Sequence, residues 1–386
     1  MAELDFTGKP VKLTQNVIKL NFGDELDMWL AQCDTGMSGD GKINIMHLGD
    51  SHIQADYLSG RMRELLQFSF GNGGRGLVFP YRAAGRTNTP DNYKLLVGGD
   101  WKGCKNVSYF KICDIGVNGI MVYTFDTSAY FYINPNTNPW LNYSFNHVKL
   151  FTKNTSGQFD YFIKKDSVTL IPVEATKRDS FFTELRFKED QSVFGLSLAR
   201  KDTLQREFNF FGASLENDTP GVLYHMAGIN GAEYFSFLRC NLLGLQLRHL
   251  NPHLVIISLG TNEGFNPYYT DEDFKINASL LIDRIREAKP KVSILLTMPG
   301  ESLQKRKYPI KRLNSVRKVL YEVAAEKHCA VWDLYEVMGG LGSMKRWHSK
   351  GLTAKDLVHY NAAGYRLQGE LLYSALLTYY TQKRSN

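Results

Sequence analysis

The sequence predicts an α/β fold: a parallel sheet covered on both faces by helices, with an antiparallel β-sandwich inserted into it. Two textures of the chain carry that prediction. From about Lys42 to Phe79, and again from about Gly221 to the C-terminus, apolar runs alternate with segments of helical periodicity. Between them, from about Pro80 to Asp218, short runs of alternating polarity are punctuated by Asn, Gly, Asp and Pro, with no helical period. Near-continuous apolar strands separated by helices indicate a parallel sheet buried on both faces, whereas close-set alternating strands indicate a sandwich. A chain of 386 residues also exceeds the usual size of one core. The expected division is 1–79 with 219–386 for a discontinuous α/β domain, and 80–218 for the insert.

In chain order, the parallel strands are expected at Ile43–Leu48, Leu223–Ala227, Leu254–Leu259, Val292–Thr297 and Ala330–Asp333. The helices are expected near Tyr57–Phe70, Glu233–His249, Asp271–Ala288, Asn314–Lys327 and Ala362–Thr381. Within the insert, strands are expected at Ile120–Phe125, Ala129–Ile133, His147–Thr152, Val168–Val173, Phe181–Phe187, Ser192–Leu198 and Phe208–Phe211.

Composition excludes several classes. Hydrophobic residues at 43% and aromatics at 13% describe a packed globular chain. The net charge of +7 is mild, and the basic run Lys305-Arg306-Lys307 with Lys311-Arg312 reads as a solvated face. No aromatic residues are interleaved with it in a nucleic-acid motif, so no nucleic-acid partner is expected. The five cysteines lack any paired C-x-x-C spacing, which argues against zinc. Their odd number weighs against a disulfide framework, although Cys104 and Cys113 are close enough to pair across two strands. No apolar stretch reaches membrane-spanning length, so no transmembrane segment is expected. The opening Met1-Ala2-Glu3-Leu4-Asp5 shows no basic-then-apolar leader and hence no visible signal peptide.

Four short blocks carry the chemistry. Gly49-Asp50-Ser51-His52 ends the first apolar run and opens an amphipathic segment. A serine there can project its hydroxyl into a cleft while backbone N–H groups converge on it; the same letters also describe a plain capped turn. Gly228-Ile229-Asn230-Gly231-Ala232 follows a strand and opens a helix, where glycine lets backbone N–H groups approach a substrate. Gly260-Thr261-Asn262-Glu263 follows the next strand, placing a side-chain amide in the crevice where open α/β sheets bind ligands. Asp356-Leu357-Val358-His359 puts a carboxylate three residues before a histidine, a spacing from which it can fix the ring's tautomer. Each block alone has an ordinary structural explanation. Together they lie at one edge of a doubly wound sheet, which a set of unrelated turns does not explain.

In order and spacing these blocks resemble the signature blocks of the SGNH hydrolases, the GDSL-type esterases and lipases, over the whole parallel-sheet portion. GDSH in place of GDSL, the glycine-rich Gly71–Gly76 loop and the inserted sandwich bring the chain closest to bacterial peptidoglycan O-acetylesterases. The resemblance implies a flavodoxin-like three-layer α/β/α SGNH fold with a carbohydrate-binding-like insert. It implies Ser51 as nucleophile, His359 as general base and acid, and Asp356 as its orienting carboxylate. The oxyanion hole would combine the Ser51 and Gly231 backbone N–H groups with the Asn262 side chain. Asp50 would brace the turn, and His52, replacing the commoner leucine, would be structural. The chain departs from the family in lacking the glycine and threonine that often flank this histidine.

The implied activity is removal of O-acetyl groups from a carbohydrate polymer, with peptidoglycan the first choice, in the periplasm or outside the cell. No metal or organic cofactor is required. Acetylated plant or host glycans, and a lipid or thioester acyl group, are the alternative substrates. Absence of a G-x-S-x-G elbow disfavours the α/β-hydrolase route. A metallophosphoesterase would need metal-ligating clusters, but His47, His225, His253 and His348 are dispersed. A non-catalytic carbohydrate-binding protein would use the insert's Trp101, Tyr109, Tyr123, Tyr130, Tyr132 and Trp140 to stack on sugars; packing in the sandwich core is the plainer use for most of them.

Overall fold

The computed structural model describes residues 4–39, 41–85, 87, 89–110, 113–137, 140–172 and 174–385. Its central sheet contains six strands: β1 Ile18–Lys19, β2 Lys42–Gly49, β3 Gly221–Gly228, β4 Leu254–Ser258, β5 Ser293–Met298 and β6 Ala330–Asp333. Their spatial order is β1-β6-β5-β4-β2-β3. Only the short edge strand β1 runs antiparallel; every other pairing is parallel. Without β1 the order is that of the flavodoxin-like doubly wound fold, whose winding reverses between β2 and β4. The crevice above that reversal is where such sheets bind ligands. Gly49 at the end of β2 is in register with Gly228 of β3 and Ser258 of β4.

Alternate residues of each strand feed two separate cores, the reason the strands read as continuous apolar runs. Ile43, Ile45, Tyr224, Ile256, Leu295 and Trp332 pack beneath the helices Asp27–Met37, Tyr57–Phe70 and Ala362–Ser385. Met46, Leu48, Val255, Ile257, Leu296 and Val331 pack on the opposite face against Leu243–Leu250, Asp271–Ala288 and Leu313–Glu326. The result is three layers.

The helix expected over Glu233–His249 is interrupted, forming Tyr234–Leu238 and Leu243–Leu250. At the break the backbone turns aside to bond the insert: Leu242 N–H donates to Ile115 O at 3.0 Å, and Ile115 N–H donates to the Asn241 side chain at 2.9 Å. A tertiary contact outweighs the local helical period.

The insert is a sandwich of two antiparallel sheets. The smaller orders Lys94–Gly98, Tyr130–Asn134, Phe194–Ala199 and Asp160–Lys164. The larger runs from Glu174–Arg178 through Thr183–Gln191, Phe145–Thr152, Phe208–Glu216 and Ile120–Thr124 to Lys102–Lys105. The strand expected at Val168–Val173 is displaced. Asp166 accepts the N–H groups of Val168 and Thr169 in a turn, Val173 lies outside the described residues, and the strand starts at Glu174. Every residue of Glu174–Arg178 is exposed, so it carries no apolar alternation to read.

Sandwich and parallel sheet are knitted together. Gly74–Val78 pairs along the far half of Phe208–Glu216, and one hydrophobic core runs from Leu48 into Phe131 and Phe210. Beside this junction Asp56 is fully buried between Arg63 and Arg75, each 2.9 Å from its Oδ2. Burial pushes that carboxyl up, but the two guanidiniums outweigh it and hold its pKa below the ordinary value. Cys104 and Cys113, close enough in sequence to pair, form a disulfide, and the odd count leaves Cys33, Cys240 and Cys329 buried outside any disulfide.

Candidate active site

The end of β2 builds a single turn of helix, Ser51–Gln54, at the mouth of the crevice. Asp50 caps it, its Oδ1 accepting the His52 N–H at 2.9 Å. Ser51 stands at the first helical position, half-buried, with its Oγ 2.8 Å from His359 Nε2. The other ring nitrogen, Nδ1, is 2.7 Å from Asp356 Oδ2. The spacing of the fourth block explains this geometry. Leu357 takes a left-handed φ of 58°, and the tight turn lets Asp356 Oδ1 accept the Val358 and His359 N–H groups at 3.0 and 2.9 Å. One carboxylate therefore holds both the loop and the ring. Leu303 N–H donates to Leu357 O at 2.8 Å and ties the loop to the body of the protein.

The second block forms a pinned loop. Gly228 is required by proximity, since a Cβ there would overlap the backbone N of Gln54. Beyond it, Ile229 N–H donates to Gly49 O, Asn230 N–H to Gln54 Oε1, Ala232 N–H to Ile229 O, and Tyr234 N–H to Glu263 Oε1. Ala232 O accepts the Asn262 amide at 2.9 Å. Gly231 lies between these anchors at φ +80°, with open space where a side chain would stand. Among the described residues, no protein acceptor meets the Gly231 or the Ser51 N–H. The third block supplies Asn262, whose Nδ2 also lies 3.3 Å from Asp50 Oδ2. The five candidate site residues therefore lie beyond the carboxyl edge of the sheet, Ser51 and Asn262 in short helical turns and Gly231, Asp356 and His359 in loops.

The electrostatics divide by burial. Asp356 and His359 are accessible, with side chains 50% and 37% exposed. Burial works to raise the Asp356 pKa, but its hydrogen bonds from the His359 ring and the two N–H groups lower it below the ordinary value. Asp50 is buried, which pushes its pKa up to about 7. Glu263 is likewise pushed up to about 8 by burial. His52 backs His359, ring centroids 5.1 Å apart, with its Nδ1 3.0 Å from the Tyr365 hydroxyl. Burial, aided by the neighbouring His359, lowers its pKa to about 3, so it stays neutral beside the accessible imidazole.

The dispersed histidines have separate partners. His47 bridges Tyr224 Oη and Ser258 Oγ at 2.8 and 2.6 Å. His225 and His253 accept the backbone N–H groups of Leu77 and Asn44, and His348 meets Thr353. Among the described residues, no three His, Cys, Asp or Glu side chains gather as a metal site. Of the insert's aromatics, Tyr109 and Trp140 are exposed, while Trp101, Tyr123, Tyr130 and Tyr132 are half-buried.

Residues 193–367 match the GDSL-like lipase/acylhydrolase family. Over that stretch, a little under half of its length, the chain is similar to GDSL-like acylhydrolases. Its fold is that of a solved structure of a peptidoglycan O-acetylesterase, with a TM-score of 0.77 and 23% identity over 92% of this chain and 96% of that one. Partial likenesses extend to an acetyl xylan esterase, AlAXEase, at a TM-score of 0.32, 18% identity, and 39% and 79% of the two chains. A variant of an acetyl-xylooligosaccharide esterase from a Geobacillus matches at a TM-score of 0.32 and 21% identity, over 42% and 73% of the two chains. No curated protein sequence matches the chain.

The site is also positioned by residues that no sequence motif marks. Gln54 and Tyr365 sit in ordinary helical pattern and carry no motif. Glu263 was visible only as the letter after Asn262. A buried polar residue in an otherwise apolar periodic segment was the one available signal for Gln54, which is 0% exposed.

Proposed function

We propose that the protein is a serine O-acetylesterase acting on a carbohydrate polymer, peptidoglycan in the first instance, through a Ser51–His359–Asp356 triad. The observation that carries this reading is the continuous relay from Ser51 Oγ through both nitrogens of His359 to Asp356, at 2.8 and 2.7 Å. His359 Nε2 takes the hydroxyl proton as Ser51 Oγ attacks the acetyl carbonyl carbon. Asp356 keeps the other proton on Nδ1 and stabilises the imidazolium. The oxygen that becomes negative accepts from the Ser51 and Gly231 N–H groups and from the Asn262 amide. The Asn262 contact to Asp50, at 3.3 Å, is the longer of its two and is the one an oxyanion would take over. His359 then returns its proton to the departing sugar oxygen, leaving Ser51 acetylated. Water activated by His359 attacks that ester, releasing acetate and restoring the serine hydroxyl.

Carbohydrate is favoured over lipid because the groups beside Ser51, His359 and Asp356, face solvent. The discontinuous catalytic unit of residues 1–79 and 219–386 presents this site, and the 80–218 sandwich is read as an aid to polymer binding. The Cys104–Cys113 disulfide supports an oxidising compartment, the periplasm or the exterior. Among the described residues, no helix is long and apolar enough to cross a membrane.

The test is acetate release from O-acetylated peptidoglycan measured beside acetylated xylan. Faster release from peptidoglycan is expected, and Ser51→Ala and His359→Ala should each abolish release while leaving the circular dichroism spectrum unchanged. Wild-type turnover by either variant would overturn the mechanism; preference for xylan would overturn the substrate.

A further inference from the structure

We infer that Gln54 is a positioning residue for the oxyanion hole, and that it links the hole to the insert. The inference rests on the proposed role of the Gly231 N–H. Gln54 ends the same single helical turn that Ser51 begins. Its side chain is wholly buried, with Oε1 accepting the Asn230 N–H at 2.6 Å and Nε2 donating to Thr87 Oγ1 at 2.6 Å. Asn230 immediately precedes Gly231. The amide therefore spans from the nucleophile's own turn to the peptide neighbouring the proposed donor.

Three features make this more than a buried hydrogen bond. First, Gly228 packs so closely on the Gln54 backbone that the turn and the loop approach as one unit. Second, the loop's other anchors lie on the far side of Gly231: Ala232 O on Asn262 and Tyr234 N–H on Glu263. Without Gln54, the side nearer Ser51 would, among the described residues, be held to the serine's strand by the Ile229-to-Gly49 backbone bond, which is 3.2 Å long. Third, Gly231 has no side chain to wedge it in place and stands in open space. A hole donor displaced by about an ångström loses much of its effect on the barrier. Thr87 lies on the segment that follows Tyr81–Ala84 and leads into the first sandwich strand. A shift of that segment is therefore felt at the peptide beside Gly231.

The two ends of the amide can be separated experimentally. Gln54→Glu keeps an acceptor for Asn230, and the Thr87 hydroxyl can turn to donate to it. Gln54→Leu keeps the bulk and loses both bonds. With the full-length enzyme and an acetyl chromogenic ester, Gln54→Leu should lower kcat 10- to 100-fold with KM within twofold. Gln54→Glu should stay within threefold of wild type, and Thr87→Val should lose twofold to fivefold. Inhibition by methylboronic acid, whose serine adduct places an oxyanion in the hole, should weaken in proportion to each variant's loss in kcat/KM. A purely structural role would change the melting temperature but not that proportionality. Wild-type kcat in Gln54→Leu, equal losses in the Leu and Glu variants, or unchanged boronate inhibition would each overturn the inference. Should Gln54→Leu not fold, Gln54→Glu and Thr87→Val decide it through the boronate comparison. Activity of Ser51→Ala would instead overturn the triad reading, so the two failures are distinct.

Discussion

Asn262 Nδ2 lies 3.3 Å from Asp50 Oδ2, across the crevice between the ends of β4 and β2. The residue that caps the serine's turn thus also touches the amide proposed to receive the oxyanion. Each half of the proposed hole is braced by a side chain from the opposite block.

Removing the amide tests the hole directly. Asn262→Ala should lower kcat by two to three orders of magnitude, about 3–4 kcal/mol in the barrier, with KM little changed. Steady-state hydrolysis of an acetyl chromogenic ester measures it. A loss below tenfold would remove Asn262 from the hole.

Asp356 is tested by keeping its shape and removing its charge. Asp356→Asn can no longer hold a proton on His359 Nδ1 as a carboxylate does, and kcat should fall by two to four orders of magnitude. Asp356 is half-exposed, so water replaces part of its function and the lower end of that range is expected. Retention of more than a tenth of kcat would point to another orienting group.

Asp50 makes a prediction about stability. Its folded pKa, about 7, is raised above the ordinary aspartate value, so the folded state holds a proton that the unfolded state has already released. The associated stability is fully present below about pH 4 and is lost as pH rises through 7. Asp50→Asn carries no such term, so its melting temperature should gain on wild type between pH 4 and 8. The buried His47, His52 and His253, lowered to about 3, 3 and 4 by burial, have the opposite sign, costing stability as pH falls below about 6.5. They are common to both proteins and cancel in the difference. A flat difference curve would show that Asp50 is ionised throughout.

The Cys104–Cys113 bridge joins residues nine apart in sequence. Loop-closure entropy for so short a loop amounts to about 2.5–3 kcal/mol. Cys104→Ser with Cys113→Ser should therefore lower the melting temperature while leaving ester hydrolysis intact. Thiol titration should find no reactive thiol in the native protein, three after denaturation, and five after denaturation with reduction.

Much of the architecture was legible because its causes are local. Ile43–Leu48 and Leu254–Leu259 read as strands through their own apolar runs, and Asp271–Ala288 as a helix through its period. Glu174–Arg178, wholly exposed, had no such signature, and the break after Leu238 answers to Ile115 far away in the chain.

The same division holds at the site. By itself the sequence determined the four blocks, the doubly wound order that sets them at one sheet edge, and the Asp356-x-x-His359 spacing that closes a carboxylate onto its own histidine. Tertiary structure alone decided that Gln54 reaches Asn230 and that Asp50 meets Asn262. Caps and periodicity depend on neighbours in the chain. The partner of a buried polar atom depends on which distant segment the two cores bring against it.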